Sequence, residues 1–159
     1  MKILGIDPGT RITGYGVVEK GQKGILNVAY GEIRMRRGEP LSACLKKIYN
    51  RLMEIIVEYA PDVIALEDIF YGKNVKSLIK LGQARGVVIL AASHSSIPLY
   101  EYTPLEVKKA IVGYGRAEKI QVQHMVRVIL SLKETLPLDA SDALAIAICH
   151  SNFLKEVPV

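Results

Sequence analysis

The sequence predicts an α/β fold in which helices pack against one mixed, five-stranded sheet. Half of the 159 residues are hydrophobic, which favours a sheet with covered faces. Tight turns join three strands near the N-terminus, so these strands run antiparallel. Strand–helix–strand units follow and add parallel strands through right-handed crossovers. The predicted strand order is 3-2-1-4-5 within a single domain, residues 1–159.

Composition narrows the possible locations and partners. No run of 18 apolar residues occurs, and the N-terminus enters a strand without a signal-peptide core. Cys44 and Cys149 fall on apolar helical stripes, which predicts reduced core residues of a cytoplasmic protein. The net charge of +5 suggests a polyanionic partner.

The N-terminal part predicts a strand over 2–7 that ends at Asp7, before the Pro8-Gly9 turn. A second strand, 12–19, carries two glycines, Gly14 and Gly16, on a face where a helix should pack closely. A hairpin turn at 20–24 leads into a third strand. Its apolar positions change parity, which predicts a bulge at Gly31. A basic loop, 34–40, follows.

The remaining chain alternates helices and strands. The predicted elements are helix 41–59, strand 63–67, helix 75–93, strand 97–102 and helices 104–112, 118–131 and 139–153. Gly82 and Gly86 lie one turn apart on the second helix. This spacing lets another backbone approach, and it favours packing within the chain over dimerisation.

Four acids occupy positions that the topology brings together. Strands one and four are parallel neighbours, so Asp7 and Glu67 emerge side by side at the same sheet edge. Asp139 and Asp142 share one face of the last helix. Structural roles are open for three of them: Asp7 as a turn cap, Asp139 as an N-cap and Asp142 as an acid in the first helical turn. Glu67 has no obvious basic partner in the sequence.

Together the four carboxylates indicate a metal site. They would raise each other's pKa values, and divalent cations would relieve the repulsion. Oxygen ligands suit Mg²⁺ or Mn²⁺. Two such ions can activate a water and stabilise the leaving oxygen of a phosphodiester. A basic rim around the pocket would hold a phosphate backbone, as a nuclease requires.

The candidate rim consists of Lys and Arg residues that follow the strand ends, each of which could also be an ordinary solvated charge. They are Lys73, Lys76, Lys80, Arg85, Lys108, Lys109, Arg116 and Lys119. Phe70 lies among them and could stack on unpaired bases or fill the core. His124 and His150 lie on apolar-rich helices and are expected to be structural.

Several segments of this chain resemble the RuvC-type Holliday-junction resolvases. The opening Ile6-Asp7-Pro8-Gly9-Thr10 is similar to theirs, and so are Thr13–Val17 and Leu66-Glu67. The runs Lys80–Gly86 and Ala117–Arg127 follow in the family's order, and Asp139–Ala147 completes the likeness, which covers roughly residues 3–150.

The resemblance implies an RNase H-like fold and a homodimer that nicks four-way DNA junctions symmetrically, leaving 5′-phosphate and 3′-hydroxyl ends. It implies that Asp7, Glu67, Asp139 and Asp142 bind two Mg²⁺ ions. Phe70 matches a base-stacking position, while Lys108 and Lys119 match basic positions near the scissile phosphate. The implied partner is the RuvA–RuvB branch-migration complex. Because Asp68 follows Glu67, either acid could be the ligand; Glu67 is preferred.

Two other classes of function stay open. Asp7-x-Gly9-Thr10 also resembles the phosphate loop of actin-like ATP-binding folds, but those proteins use two duplicated domains and this chain has room for one. No nucleotide cofactor is therefore expected. A DNA-binding module without catalysis is the second alternative, although a binder gains nothing from four carboxylates facing phosphates.

Overall fold

The chain folds around one five-stranded mixed sheet of order β3-β2-β1-β4-β5, which confirms the predicted strand order. The computed structural model describes residues 1–68 and 74–153. The elements are β1 (Lys2–Asp7), β2 (Ile12–Gly21), β3 (Gly24–Arg34), α1 (Leu41–Tyr59), β4 (Val63–Glu67), α2 (Val75–His94), β5 (Leu99–Tyr102), α3 (Pro104–Val112), α4 (Lys119–Ile129) and α5 (Leu138–Asn152). None of these helices is long and apolar enough to cross a membrane.

Side chains that alternate along the strands build a separate core on each face of the sheet. On one face, Leu4 and Ile6 of β1 pack with Ile64 and Leu66 of β4 in the core that α1 and α2 cover. On the other face, Ile3 belongs to the core that α3, α4 and α5 cover. Asp7 has the same parity as Ile3, and Glu67 the same parity as Val63 and Ala65. Both acids therefore point towards the α5 side.

The α5 helix lies directly on the backbone of β1 and β2. A Cβ atom at Gly14 would collide with the carbonyl oxygen of Asp139, and it would lie 3.0 Å from the nitrogen of Ala140. A Cβ at Gly16 would lie 2.7 Å from Leu144, and one at Gly5 would lie 2.8 Å from the nitrogen of Ala147. The predicted close helix packing at Gly14 and Gly16 is confirmed, and Gly5 adds a third point of contact.

Two predictions about glycines are wrong. The register of β2 and β3 shifts between Val17, which pairs with Ala29, and Val18, which pairs with Asn27, so the bulge lies at Val28. Gly31 sits in regular register opposite Tyr15, whose ring lies where a Gly31 side chain would be. A parity change locates a bulge only approximately, because any residue between the two apolar sets can be the extra one.

The second error concerns Gly82 and Gly86 on α2. Apart from the adjacent residues and the nearby backbone of α2 itself, no atom among the described residues lies within 4 Å of a Cβ built at either position. The expected tight packing within the chain is therefore absent there.

The structure also locates the two cysteines and the two helical histidines that the sequence singled out. Cys44 and Cys149 are buried and form no disulfide, as predicted. His150 is buried, and its Nδ1 lies 2.7 Å from the hydroxyl of Tyr102. Desolvation lowers the pKa of His150, with a smaller contribution from Lys20, which favours the neutral ring. His124 is exposed on α4 and does not belong to the core, so its structural role stays a prediction.

We predict that Gly14→Ala displaces α5 and lowers the free energy of unfolding by at least about 2 kcal/mol, because its Cβ overlaps backbone that cannot rotate away. Gly21→Ala, on the same strand, is the matched control: its Cβ meets only the Gly24 oxygen at 3.9 Å. The control should stay within about 0.5 kcal/mol of the wild type. Urea denaturation compares the three proteins, and equal stability of the two variants would contradict the packing described above.

Candidate active site

Two acids lie side by side at the carboxyl ends of the central parallel strands. β1 and β4 pair in parallel up to Ile6 and Leu66, so Asp7 and Glu67 are the next residues along each strand. Asp7 also pairs across the sheet with Gly14, the residue on which the start of α5 rests. The topology therefore brings Asp7 close to α5 as well as to Glu67.

The first turns of α5 supply the other two acids. The helix begins at Leu138 after the N-cap Pro137, and no side chain caps it. Asp139 is thus the second helical residue and not the N-cap, and Asp142 is the fifth residue and lies beyond the first turn. The turn after β1 is closed by Thr13, whose hydroxyl donates to the Gly9 carbonyl at 2.8 Å, so this turn has a side-chain cap other than Asp7.

The four carboxylates are electrostatically coupled. Burial raises the pKa of Asp7 to about 8, with further contributions in the same direction from Asp142, Glu67 and Asp139, in that order; Lys119 opposes them. At neutral pH, Asp7 therefore retains its proton in much of the population unless a cation compensates the charge.

Glu67 and Asp142 are perturbed in the same direction. Burial is the main cause of the raised pKa of each; Asp142 adds to the effect on Glu67, and Asp139 adds to that on Asp142. Lys119 opposes both shifts, and Lys108 and Arg85 also oppose the shift at Glu67.

Lys119 and Lys108 lie beside the acids. The Lys119 Nζ is 2.6 Å from Oδ2 of Asp142, and this contact is the main reason that the pKa of Lys119 is raised. Both lysines line a cavity of about 220 Å³ together with Glu67 and Asp142. The sequence-based placement of these two lysines next to the acidic residues agrees with the geometry.

Arg85 does not belong to an exposed rim, so its prediction as a DNA-contacting residue is corrected. Its side chain is 8% exposed and forms an ion pair with Glu101 of β5. It also donates to the carbonyl of Glu67 and lies 3.8 Å from Asp68. Arg85 is the basic neighbour of Glu67 that the sequence did not reveal. An acid in the short strand β5 was the available signal, because a largely buried carboxylate requires a partner.

The other predicted rim residues are placed as follows. Lys76 and Lys80 are exposed on α2, Lys109 is exposed on α3, and Arg116 is exposed in the loop before α4. Their exposure is compatible with DNA contact and equally with solvated charges. Phe70 and Lys73 lie outside the described residues.

The donor set fits a hard divalent cation, since all four acids offer oxygen atoms and repel one another. In the described part of the chain, however, no three His, Cys, Asp or Glu side chains converge closely enough to hold one ion as they stand. Instead, the Lys119 ammonium group forms an ion pair with the carboxylate of Asp142. The chemistry of the donors, rather than a preformed cage, is what favours a metal here.

Solved structures define the class of this protein. The chain matches Thermus thermophilus RuvC in complex with a Holliday junction substrate with a TM-score of 0.90 and 36% identity, covering 96% of this chain and 93% of the other. A yeast mitochondrial Holliday junction resolvase shares the fold at a TM-score of 0.66 and 14% identity, covering 92% and 76% of the two chains. The sheet order and these matches make the fold RNase H-like.

Sequence comparison identifies the family. The model of the family "Crossover junction endodeoxyribonuclease RuvC" matches residues 3–150. The RuvC of Syntrophotalea carbinolica is 57% identical over 152 residues, covering 96% of this chain and 94% of that protein. The RuvC of Geotalea uraniireducens is 52% identical, covering 96% and 89%. The chain belongs to the RuvC family.

The raised pKa of Asp7 predicts a pH-dependent stability. In the unfolded chain Asp7 loses its proton near pH 4, whereas in the folded protein it does so only near pH 8. The folded state binds more protons between these values, so stability falls as the pH rises through this window. Without metal, Asp7→Asn should therefore increase the free energy of unfolding at pH 7.5 by about 2–4 kcal/mol, and the difference should vanish near pH 4.

Denaturant titrations in EDTA at the two pH values measure this effect. Glu19→Gln is the control, because Glu19 is exposed on β2 and lies outside the site. A variant Asp7→Asn that is no more stable than the wild type at pH 7.5 would contradict the assigned burial and repulsion.

Proposed function

We propose that the chain is a structure-selective endonuclease that resolves four-way DNA junctions by paired symmetric nicks, in recombination and repair. Membership of the RuvC family supports the substrate class. The observation that carries the chemistry is a group of four half-buried carboxylates at one sheet edge, where burial first and mutual repulsion second raise the pKa of Asp7 to about 8. Such a cluster is costly without a cation, and a metal-dependent nuclease gives it a use.

The four acids would hold two Mg²⁺ ions, or Mn²⁺ in their place. When bound, the ions would activate the attacking water and stabilise charge on the leaving 3′-oxygen, giving 5′-phosphate and 3′-hydroxyl ends. Asp7 and Glu67 present their carboxylates from rigid strand ends, while Asp139 and Asp142 do so from a buried helix. Binding requires Asp142 to exchange its partner Lys119 for the metal.

Lys119 then gains a second role. Once released from Asp142, its ammonium group would be available in the cavity that it lines together with Lys108. Both groups can neutralise charge that builds on the phosphate in the transition state. Arg85 holds the end of β4 through the Glu67 carbonyl and thereby keeps the Glu67 carboxylate at the sheet edge.

DNA binding would extend from the cavity across the exposed cations. Lys76, Lys80 and Arg116 would contact phosphates, and Phe70 would stack on a base at the opened junction, as the family resemblance implies. Paired nicks in strands of like polarity require two active sites, hence a homodimer. The RuvA–RuvB complex is the proposed partner, and a single domain and a cytoplasmic location stay predictions.

We predict that Asp7→Asn retains junction binding but loses Mg²⁺-dependent nicking by at least about a thousandfold, because the variant lacks a charged ligand while its shape is unchanged. Gel-shift and nicking assays on the same synthetic junction measure the two properties. Normal nicking by Asp7→Asn would refute the assignment. A wild-type protein that binds junctions undiminished in Mg²⁺ without cutting would instead support a non-catalytic binding module.

A further inference from the structure

A second, strongly basic surface lies next to the acidic site. It is a groove of about 1080 Å³ between the turn after β1, the loop between β3 and α1, and the first turns of α2. Five cationic side chains line it, and we call it the arginine groove: Arg11, Arg34, Arg36, Arg37 and Lys80. Among these five, the proposed nuclease site uses only Lys80.

Most of this positive charge is uncompensated. Arg11, Arg36, Arg37 and Lys80 are exposed, and in the described ranges their side chains form no ion pair. Arg34 alone among the five is paired, with Glu32. Glu39 is the single acid among the described lining residues, and its Oε2 accepts the backbone N–H of Arg36 at 2.7 Å. The groove therefore presents several unpaired cations to solvent.

Backbone hydrogen bonds hold these arginines in place. The N–H of Met35 donates to the carbonyl of Arg11 at 3.0 Å, which ties the loop to the turn after β1. The N–H of Glu39 donates back to the carbonyl of Arg36 at 3.2 Å. Because these bonds use main-chain atoms, the guanidinium groups of Arg11, Arg36 and Arg37 stay available to a ligand while the loop keeps its shape.

The arginine groove is continuous with the acidic site. A recess of about 330 Å³ beside it is lined by Asp139 and Gly9 and shares Thr10, Arg11 and Ser77 with the groove. A polymer whose phosphodiester lies at the four acids can therefore leave past Asp139 and enter the groove through this recess.

We infer that the arginine groove binds the sugar–phosphate backbone of one DNA arm outside the cleaved position. Guanidinium groups bind phosphate oxygens with paired hydrogen bonds, and unpaired ones incur little cost in leaving their existing contacts. Continuity with the acids favours DNA over an acidic protein as the occupant. The inference rests on the proposed function, since it takes the polymer at the acids to be DNA.

The test compares Arg36→Gln/Arg37→Gln with the wild type on a long-armed four-way junction in EDTA, where no cutting interferes. Both protomers of the proposed homodimer carry the change, so loss of two phosphate contacts per protomer should weaken binding on the order of a hundredfold and reduce the slope of log K against log salt by about 4. Hydroxyl-radical footprints should lose protection on one arm per protomer and keep it at the branch point.

Lys23→Gln/Lys133→Gln is the matched control, with the same change in net charge. Lys23 lies in the hairpin turn at the opposite end of β2, and Lys133 is exposed in the loop between α4 and α5. This control should retain the wild-type footprint and salt slope. Equal slopes for the two double variants, or an unchanged footprint of Arg36→Gln/Arg37→Gln, would overturn the inference.

The experiments distinguish a failure of the nuclease proposal from a failure of the inference about the arginine groove. A wild-type protein that binds the junction but does not nick it in Mg²⁺ would reject the nuclease, and the salt slopes in EDTA would still decide whether the groove binds DNA. Nicking by the wild type with identical slopes for both double variants would reject the groove alone.

Discussion

The structure depends on the contact between α5 and the bare backbone of β1 and β2. Gly5, Gly14 and Gly16 carry no side chain at the points where the helix touches the sheet, and any Cβ there would overlap helix atoms. This contact places Asp139 over Gly14, the cross-strand neighbour of Asp7. If α5 were held one side-chain layer further from the sheet, its two acids would no longer be coupled to those at the strand ends.

Without a bound cation, the four acids lower the folding stability of this arrangement. Burial and mutual repulsion raise the pKa values of Asp7, Glu67 and Asp142, so the site opposes folding near neutral pH. Lys119 offsets part of the repulsion through its ion pair with Asp142. The clustering of partly buried acids thus lowers stability at the place where the proposed chemistry is located, as is common at functional sites. Lys108 and Lys119 can then interact with a phosphate once a cation binds the carboxylates.

Local sequence patterns predicted much of this fold. They failed where contacts between segments that are distant in the sequence determine the position of a side chain. The ends of β1, α1, β4 and α3 follow from short apolar runs, turn residues and the 3.6-residue period. Parallel pairing then places Asp7 beside Glu67. Arg85 was misjudged because it lies on α2 and its partner Glu101 lies on β5, and exposure cannot be inferred from a charged residue type alone. From the sequence, the arginine groove could be recognised only as a basic loop, because Arg11 lies next to that loop only in the folded protein.

The central claim is that four coupled acids on this scaffold cut DNA junctions in a metal-dependent way. The most direct test is to map nicks on all four strands of a synthetic four-way junction incubated with the protein, with and without Mg²⁺. The account predicts paired nicks at symmetric positions on two strands of like polarity, only when Mg²⁺ is present. Nicks scattered over all four strands, nicks that persist in EDTA, or intact strands in Mg²⁺ would contradict it.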